Sequence, residues 1–328
     1  MKYVEMPLCE PMKLPFYLAM EEHVARCVAP TVDDDELFFM WQVQPTVIVG
    51  RNQLVNSEVN VDYCREHGIE IHRRKSGGGC VYADSGNIMF SYIAKSANVR
   101  TTFEHYTGMV ADMLARLGLN ASATTRNDVL IGEKKVSGNA FYHIPGRSIV
   151  HGTMLYDTNL EHMTNAITPS ASKLQSKGVA SARSRITTLR ENLNMGIEEF
   201  KCFVKENLCD GTVNLAESDV EHVHTVLEPP YHKSEWIWGN NPPGIFSKQE
   251  RIEDVGECIV WVETRGNKIK KIDLKGDFFL LSDLDTTLTD RLIGVDYDKE
   301  SVAEALNDVD TQDIIMNLKT KQFINLLF

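Results

Sequence analysis

Apolar positions recur at helical spacing over 16–27, where Phe16, Met20, His23, Val24 and Cys27 fall on one face behind Pro15. Stretches 38–44 and 46–49 predict strands, interrupted at Pro45 and closed by Gly50. Stretch 57–67 predicts a second helix with Val59, Tyr63 and Cys64 inward and Gly68 at its end. Two further strands are predicted at 69–74 and 87–94, on either side of a glycine triplet. The clearest helix is 101–117, with Thr101 as cap, Glu104 at the third helical position, and Tyr106, Met109, Val110, Met113, Leu114 and Leu117 in one stripe before Gly118. Paired strands are predicted at 128–131 and 135–142 around Gly132-Glu133, a short strand at 153–156, and helices at 159–167 and 196–208.

Between the last two, 169–185 is rich in Ser, Ala, Lys and Arg and has no firm period, which reads as a functional loop or a solvated connector. The Trp-Ile-Trp-Gly-Asn-Asn-Pro-Pro-Gly run at 236–244 marks a domain boundary. It divides a first domain, 1–246, from a small α+β domain, 247–328, whose 258–263 and 268–274 stretches predict a hairpin.

Composition narrows the function classes. A chain of 328 residues, 43% hydrophobic and 24% charged, is long enough for about two domains with real cores. The net charge of −12 disfavours a non-specific nucleic-acid binder, though basic residues can still be concentrated locally. No run of 18 apolar residues predicts a membrane span, and no long apolar core follows Lys2 as a signal peptide requires. Seven cysteines without a Cys-x-x-Cys pair argue against a disulfide framework or a structural zinc site and fit a reducing, cytoplasmic setting.

Two segments carry candidate chemistry. In Arg73-Arg74-Lys75-Ser76-Gly77-Gly78-Gly79-Cys80, three glycines leave room for a ligand, and their amides can point at phosphate or carboxylate oxygens. The basic run raises the local positive potential. A tight structural turn is the alternative, and the spacing matches neither a P-loop nor a Rossmann fingerprint. The second segment is Asn127-Asp128, followed by Lys134-Lys135-Val136-Ser137-Gly138-Asn139-Ala140. Strand alternation puts Lys135, Ser137 and Asn139 on one face and Lys134 on the other. Lys135 then suits a carboxylate or α-phosphate, or is simply a surface lysine. Asp128 suits a cap, a turn or a cation.

Together with Asp84, Gly86-Asn87, His151-Gly152-Thr153, Lys177-Gly178-Val179 and Ser184-Arg185-Ile186, these motifs resemble the lipoate–protein ligase A family in its two-domain bacterial form. The resemblance implies an α+β fold: a catalytic domain of the biotin/lipoate ligase type, with mixed sheets flanked by helices, and a small accessory domain. It implies ATP-dependent conversion of lipoate to lipoyl-AMP with release of pyrophosphate, then transfer to a lysine of an acceptor domain. The acceptors implied are lipoyl domains of 2-oxoacid dehydrogenase complexes or the glycine cleavage H protein; no nucleic acid or membrane partner is implied. By the same resemblance, Arg74, Ser76, Gly77, Gly78 and Gly79 surround the carboxyl group and adenylate, and Lys135 is the pocket lysine. Asn127 and Asp128 lie near nucleotide or metal, with Asp128 on Mg²⁺; Ser137, Gly138 and His151 support the site; Lys177 belongs to a covering loop. Two positions depart from the family pattern: Cys80, where alanine is common, and Asn139, where serine is common.

Adenylation gives the carboxylate a leaving group, and positive charge from Lys135, Arg74, loop amides and Mg²⁺ is expected to bring the two anions together. His72 is expected either beside the site or in the core. Lys173, Lys177, Arg183 and Arg185 form a candidate basic rim for an acidic acceptor. The alternatives are an ATP-independent octanoyl or lipoyl transferase working through a cysteine, a biotin ligase, and a non-catalytic adenylate- or acyl-domain-binding protein.

Overall fold

The computed structural model describes residues 1–96, 98–124, 127–167, 185–238, 246–265 and 268–328. Among these, a mixed eight-stranded sheet forms the centre of the larger part. Its strands are β1 (Lys2–Glu5), β2 (Glu36–Trp41), β6 (Asn87–Ala94), β7 (Ala121–Ala123), β8 (Asp128–Ile131), β9 (Lys134–Ile144), β10 (Arg147–Leu155) and β11 (Gly211–Asn214), in the order β11-β1-β2-β6-β10-β9-β8-β7. The pairs β11/β1 and β1/β2 are parallel and the rest antiparallel. A small sheet holds β3 (Thr46–Val49) between β4 (Glu70–Arg73) and β5 (Val81–Ala83). The C-terminal part is a meander of β12 (Phe246–Ile252), β13 (Gly256–Arg265) and β14 (Lys268–Gly276) with short helices packed on it.

Every residue of β6 is buried, because both faces of the sheet are covered. Ile88, Phe90 and Tyr92 meet Phe103, Tyr106, Val110 and Leu114 of α4, the predicted helix, observed at Val99–Ala115. Met89 and Ile93 meet α1 (Leu14–His23), which is buried all round. The cap of the later helix is Asn98, whose side chain accepts from Thr101 N, so Thr101 is inside the first turn rather than capping it. Cys27 is exposed, not inward. The predicted stop holds: Gly118 takes φ +78°.

Other expectations shift at their edges. The predicted 57–67 helix is two short ones, α2 (Val55–Glu58) and α3 (Val61–Glu66). The strand ending at Leu155 begins at Arg147, after a turn at Gly146 with φ +78°. Strand β12 had no clear alternation and was not anticipated. The 169–185 loop falls outside the described residues except for Arg185, and so do Lys173, Lys177 and Arg183. Most of the 236–244 run also falls outside; Trp236 ends on the larger part, donating Nε1–H to the Arg73 carbonyl at 2.9 Å.

Candidate active site

One row of residues crosses the main sheet. Trp41 on β2 pairs with Met89 on β6, Met89 with Thr153 on β10, Thr153 with Gly138 on β9, and Gly138 with Asp128 on β8. Residues paired directly across strands share a face. The row therefore lines one wall over four inter-strand gaps, roughly 19 Å. It passes from apolar residues at Trp41 to charge at Asp128. A cavity of about 540 Å³ lies over it. Leu18, Trp41, Ile48, Val81, Met89 and Ala140 give that cavity apolar lining; Arg74, Asn127, Asp128, Lys135 and His151 give it polar lining.

Lys135 reaches this wall through a bulge. Leu130 pairs with Lys135 and Val129 with Ser137, which leaves Val136 as an extra residue in β9. The alternation reverses there. Lys135 consequently shares its face with Gly138, not with Ser137 and Asn139 as period-two spacing predicts. Its side chain lies across the Gly138 Cα, where a Cβ would stand 2.6 Å from Lys135 Nζ. The amine is 2.6 Å from Asp128 Oδ1, an ion pair off the angles of a hydrogen bond. Ser137 is buried and faces away, with Oγ donating to Asn139 Oδ1 at 3.3 Å. Asn139 packs on the Gly152 Cα and exchanges amide hydrogen bonds with the Asn127 backbone and side chain, which fixes the start of β8 beside Asp128.

The opposite side of the cavity is the glycine loop. Gly78, Gly79 and Cys80 line it; Ser76 and Gly77 do not. Gly78, at φ +82°, gives its N–H to the Phe278 carbonyl at 3.1 Å, so that amide is held by the C-terminal part and not offered to a ligand. Gly77 has no room for a side chain, since a Cβ would lie 2.5 Å from Phe278 O. Arg251, Asp277 and Phe279 extend the C-terminal part into the lining.

The basic run is largely spent inside the protein. Arg73 donates to the carbonyls of Gly50, Arg51, Gln53, Trp236 and Ile237. Arg74 donates to Ser76 Oγ and to the carbonyls of Ile48, Gly77 and Gly79. Burial brings each guanidinium down to about 10, which leaves both charged at neutral pH. Lys75 pairs with Glu22. Of the three charges, that of Lys75 is offset by Glu22, whereas Arg73 and Arg74 keep theirs among neutral acceptors while bracing the loop, and Arg74 also lines the cavity.

A buried polar chain supports the loop. Ser76 Oγ is 2.6 Å from His151 Nε2, and His151 Nδ1 is 2.9 Å from Glu21 Oε2. Ser91 Oγ donates to Glu21 Oε1 at 2.6 Å and accepts from Trp41 Nε1 at 2.8 Å. Glu21 and Trp41 were not among the sequence candidates. A carboxylate pair, Glu21-Glu22, inside a helix otherwise apolar on both sides was the available signal. His72 is away from the cavity, hydrogen-bonded to Glu70 on β4. Ile167, Arg185 and Ile186 also line the cavity, and Ile186 bridges to Lys135.

Residues 14–209 match the lipoyl protein ligase A/B catalytic domain, and residues 241–327 match the bacterial lipoate protein ligase C-terminus. The chain belongs to the lipoyl protein ligase A/B family. It is 33% identical over 318 residues to lipoate–protein ligase 1 of Staphylococcus aureus, covering 94% of this chain and 95% of that protein. Among solved structures, P. falciparum LipL1 in complex with lipoate superposes with a TM-score of 0.75 at 18% identity, over 99% of this chain and 97% of that one. That likeness shows the shared fold. A bi-partite lipoate protein ligase from Thermoplasma acidophilum, solved in a study of that enzyme and its E2 lipoyl domain, superposes with a TM-score of 0.63 at 26% identity. It covers 75% of this chain and 98% of that one.

Proposed function

We infer that this chain is an ATP-dependent lipoate–protein ligase. It makes lipoyl-AMP and pyrophosphate from lipoate and ATP, then transfers the lipoyl group to a lysine of an acceptor lipoyl domain. The observation that carries this is the single row from Trp41 to Asp128, apolar at one end and charged at the other, with the Lys135 amine held over Gly138. An extended acyl chain suits the Trp41–Met89 end, and its carboxylate then falls near Lys135.

Lys135 supplies positive charge where carboxylate and α-phosphate must meet. A carboxylate oxygen bonds to the α-phosphorus as the bond to pyrophosphate breaks. In the second step the acceptor amine bonds to the acyl carbon, AMP leaves with the electron pair, and the amine's proton goes to solvent. In both steps Lys135 neutralises charge and is not itself acylated. Arg74 and Ser76 hold the loop, and Asn127 and Asn139 hold β8 against β9. The donor set fits Mg²⁺ in part: Asp128 brings a carboxylate, ion-paired to Lys135 through Oδ1, and Mg²⁺ commonly takes one or two carboxylates plus phosphate oxygens. When bound there it would neutralise the triphosphate. The reading extends to glycine cleavage H protein as an acceptor, to a cytoplasmic location, and to residues 247–328 as the accessory domain closing over the glycine loop. No helix among the described residues is long and apolar enough to cross a membrane.

The test is an intact-mass assay of an acceptor lipoyl domain with lipoate, octanoate or biotin, each with and without ATP. A lipoyl mass shift that needs ATP is expected. Equal transfer from an acyl-protein donor without ATP, with an acyl-cysteine trapped on this chain, would replace the reading with a transferase.

Gly138→Ala probes the Lys135 placement separately. The new methyl meets the far end of a flexible side chain, so the melting curve should match that of the unmodified protein while the amine is pushed off the row. Displacement of this size is expected to lower kcat/KM for pyrophosphate release roughly 100-fold.

A further inference from the structure

Outside the cavity, three potential metal ligands come together where the end of α1 meets the helix Glu217–His222. His23, Cys27 and His222 each bring one ligand atom, and these atoms lie within 4.8 Å of one another. His23 is the last residue of α1, and Cys27 follows four residues later in the π-helical turn Val24–Val28. His222 ends its own helix and is followed by a second π-helical turn, Val223–Leu227. Such turns are rare and frequently occur at functional sites. None of the three residues lines the lipoate cavity.

The second observation concerns the His23 ring. It is only 3% exposed, and its Nε2 is 2.8 Å from Asp219 Oδ1. An ionised carboxylate only accepts, so Nε2 carries the hydrogen and the lone pair is left on Nδ1. That Nδ1 is buried and has no hydrogen-bond partner. A buried acceptor without a donor is costly and calls for an explanation. A histidine whose second nitrogen is held by a carboxylate has the arrangement found at metal-ligating histidines: the carboxylate fixes the tautomer and makes the free nitrogen a better ligand. The ring of His222 stands beside it, with centroids 5.3 Å apart, and Cys27 is open to solvent.

We propose that His23, Cys27 and His222 form a binding site for Zn²⁺, with Asp219 as the carboxylate behind His23. Two imidazoles and a thiolate are the donor set that a borderline-soft cation takes, whereas Mg²⁺ and Ca²⁺ take oxygen. On binding, the Cys27 thiol gives its proton to solvent and a sulfur–zinc bond forms. The fourth position is left to water. Zinc–nitrogen and zinc–sulfur bond lengths place tetrahedral ligand atoms roughly 3.3–3.8 Å apart, so closure of about 1 Å by side-chain rotation completes the site. The bound cation ties α1, which carries Glu21 of the His151 chain, to the segment ending at His222. Only one of the three ligands is a cysteine and His222 lies far along the chain from His23 and Cys27, which is why cysteine spacing alone argued against a zinc site.

The test uses the full chain stripped with a chelator and titrated with Zn²⁺ by calorimetry. One equivalent is expected at submicromolar affinity, unaffected by excess Mg²⁺. Cys27→Ser and His222→Ala should each weaken binding roughly 100-fold or more, and Asp219→Asn about 10- to 100-fold. Titration with Co²⁺ should give a thiolate-to-metal charge-transfer band in the unmodified protein and in Cys9→Ser, but not in Cys27→Ser. Circular dichroism checks that each variant is folded; Cys27 is exposed, so its replacement leaves the core intact. The proposal falls if the unmodified protein shows no such band, or if the Cys27→Ser/His222→Ala double variant, still folded, binds Zn²⁺ as tightly as the unmodified chain.

Discussion

Lys135→Ala is expected to melt like the unmodified protein and to lose about 100- to 1,000-fold in lipoate-dependent pyrophosphate release, the scale seen when one preorganised charge-stabilising donor is removed. Stability should hold because the lysine is half-buried at the cavity edge. The Asp128 carboxylate it leaves behind is 31% exposed and can be solvated. The lost rate has a geometric origin: Val136 bulges out of β9, the amine lies over Gly138, and the cavity has its positive charge at the charged end of the row. Lys135→Arg is not expected to restore the rate, since a planar guanidinium is bulkier than the ammonium it replaces over Gly138. Supplying synthetic lipoyl-AMP separates the two steps. If Lys135 acts in both, transfer from the preformed adenylate falls as well. If transfer from lipoyl-AMP is untouched, its role ends with adenylation. Full pyrophosphate release by the folded variant would remove Lys135 from the mechanism.

The same lysine shows what a sequence carries and what it hides. Its segment, the glycine triplet and the α4 stripe were legible because each rests on local rules: residue type, spacing and periodicity. The face on which Lys135 lies was not, because one extra residue reverses every side chain beyond it and nothing in Lys-Lys-Val-Ser-Gly-Asn announces a bulge. Arg73 and Arg74 read as positive potential alone, yet they also brace the loop, through Ser76 Oγ and carbonyls drawn from 48–53, from the glycine loop and from 236–237, which only the fold brings near. Gly78 was read as a free amide, yet its partner is Phe278, two hundred residues on. Glu21 is hidden because an amphipathic reading of α1 assigns its acids to solvent, whereas a helix buried on every side has no solvent face. Asp128, Gly138 and Thr153 were each flagged separately. Their alignment in one row needed the strand order.

Arg74→Met is expected to cost stability before it costs binding. The guanidinium is buried and donates to four acceptors, Ser76 Oγ and the carbonyls of Ile48, Gly77 and Gly79. Methionine fills much of the volume and satisfies none of them. Each buried acceptor stranded in this way costs about 1–3 kcal/mol, and part of that is recovered by relaxation of the loop, so a net loss of roughly 3–6 kcal/mol is expected in urea unfolding. That is a large share of the stability of an ordinary domain. Arg74→Lys should recover less than half, because an ammonium has three donors and no planar fork to span the loop. A residue serving chiefly as a ligand contact would behave differently: unfolding midpoints would stay put and KM for lipoate or ATP would rise. Ser76 links the two outcomes, since its hydroxyl touches both Arg74 and His151. If Arg74 is a brace, its loss loosens His151 and the Gly78–Phe278 contact together. The variant should then show faster proteolysis on both sides of the cavity even in the absence of ligand.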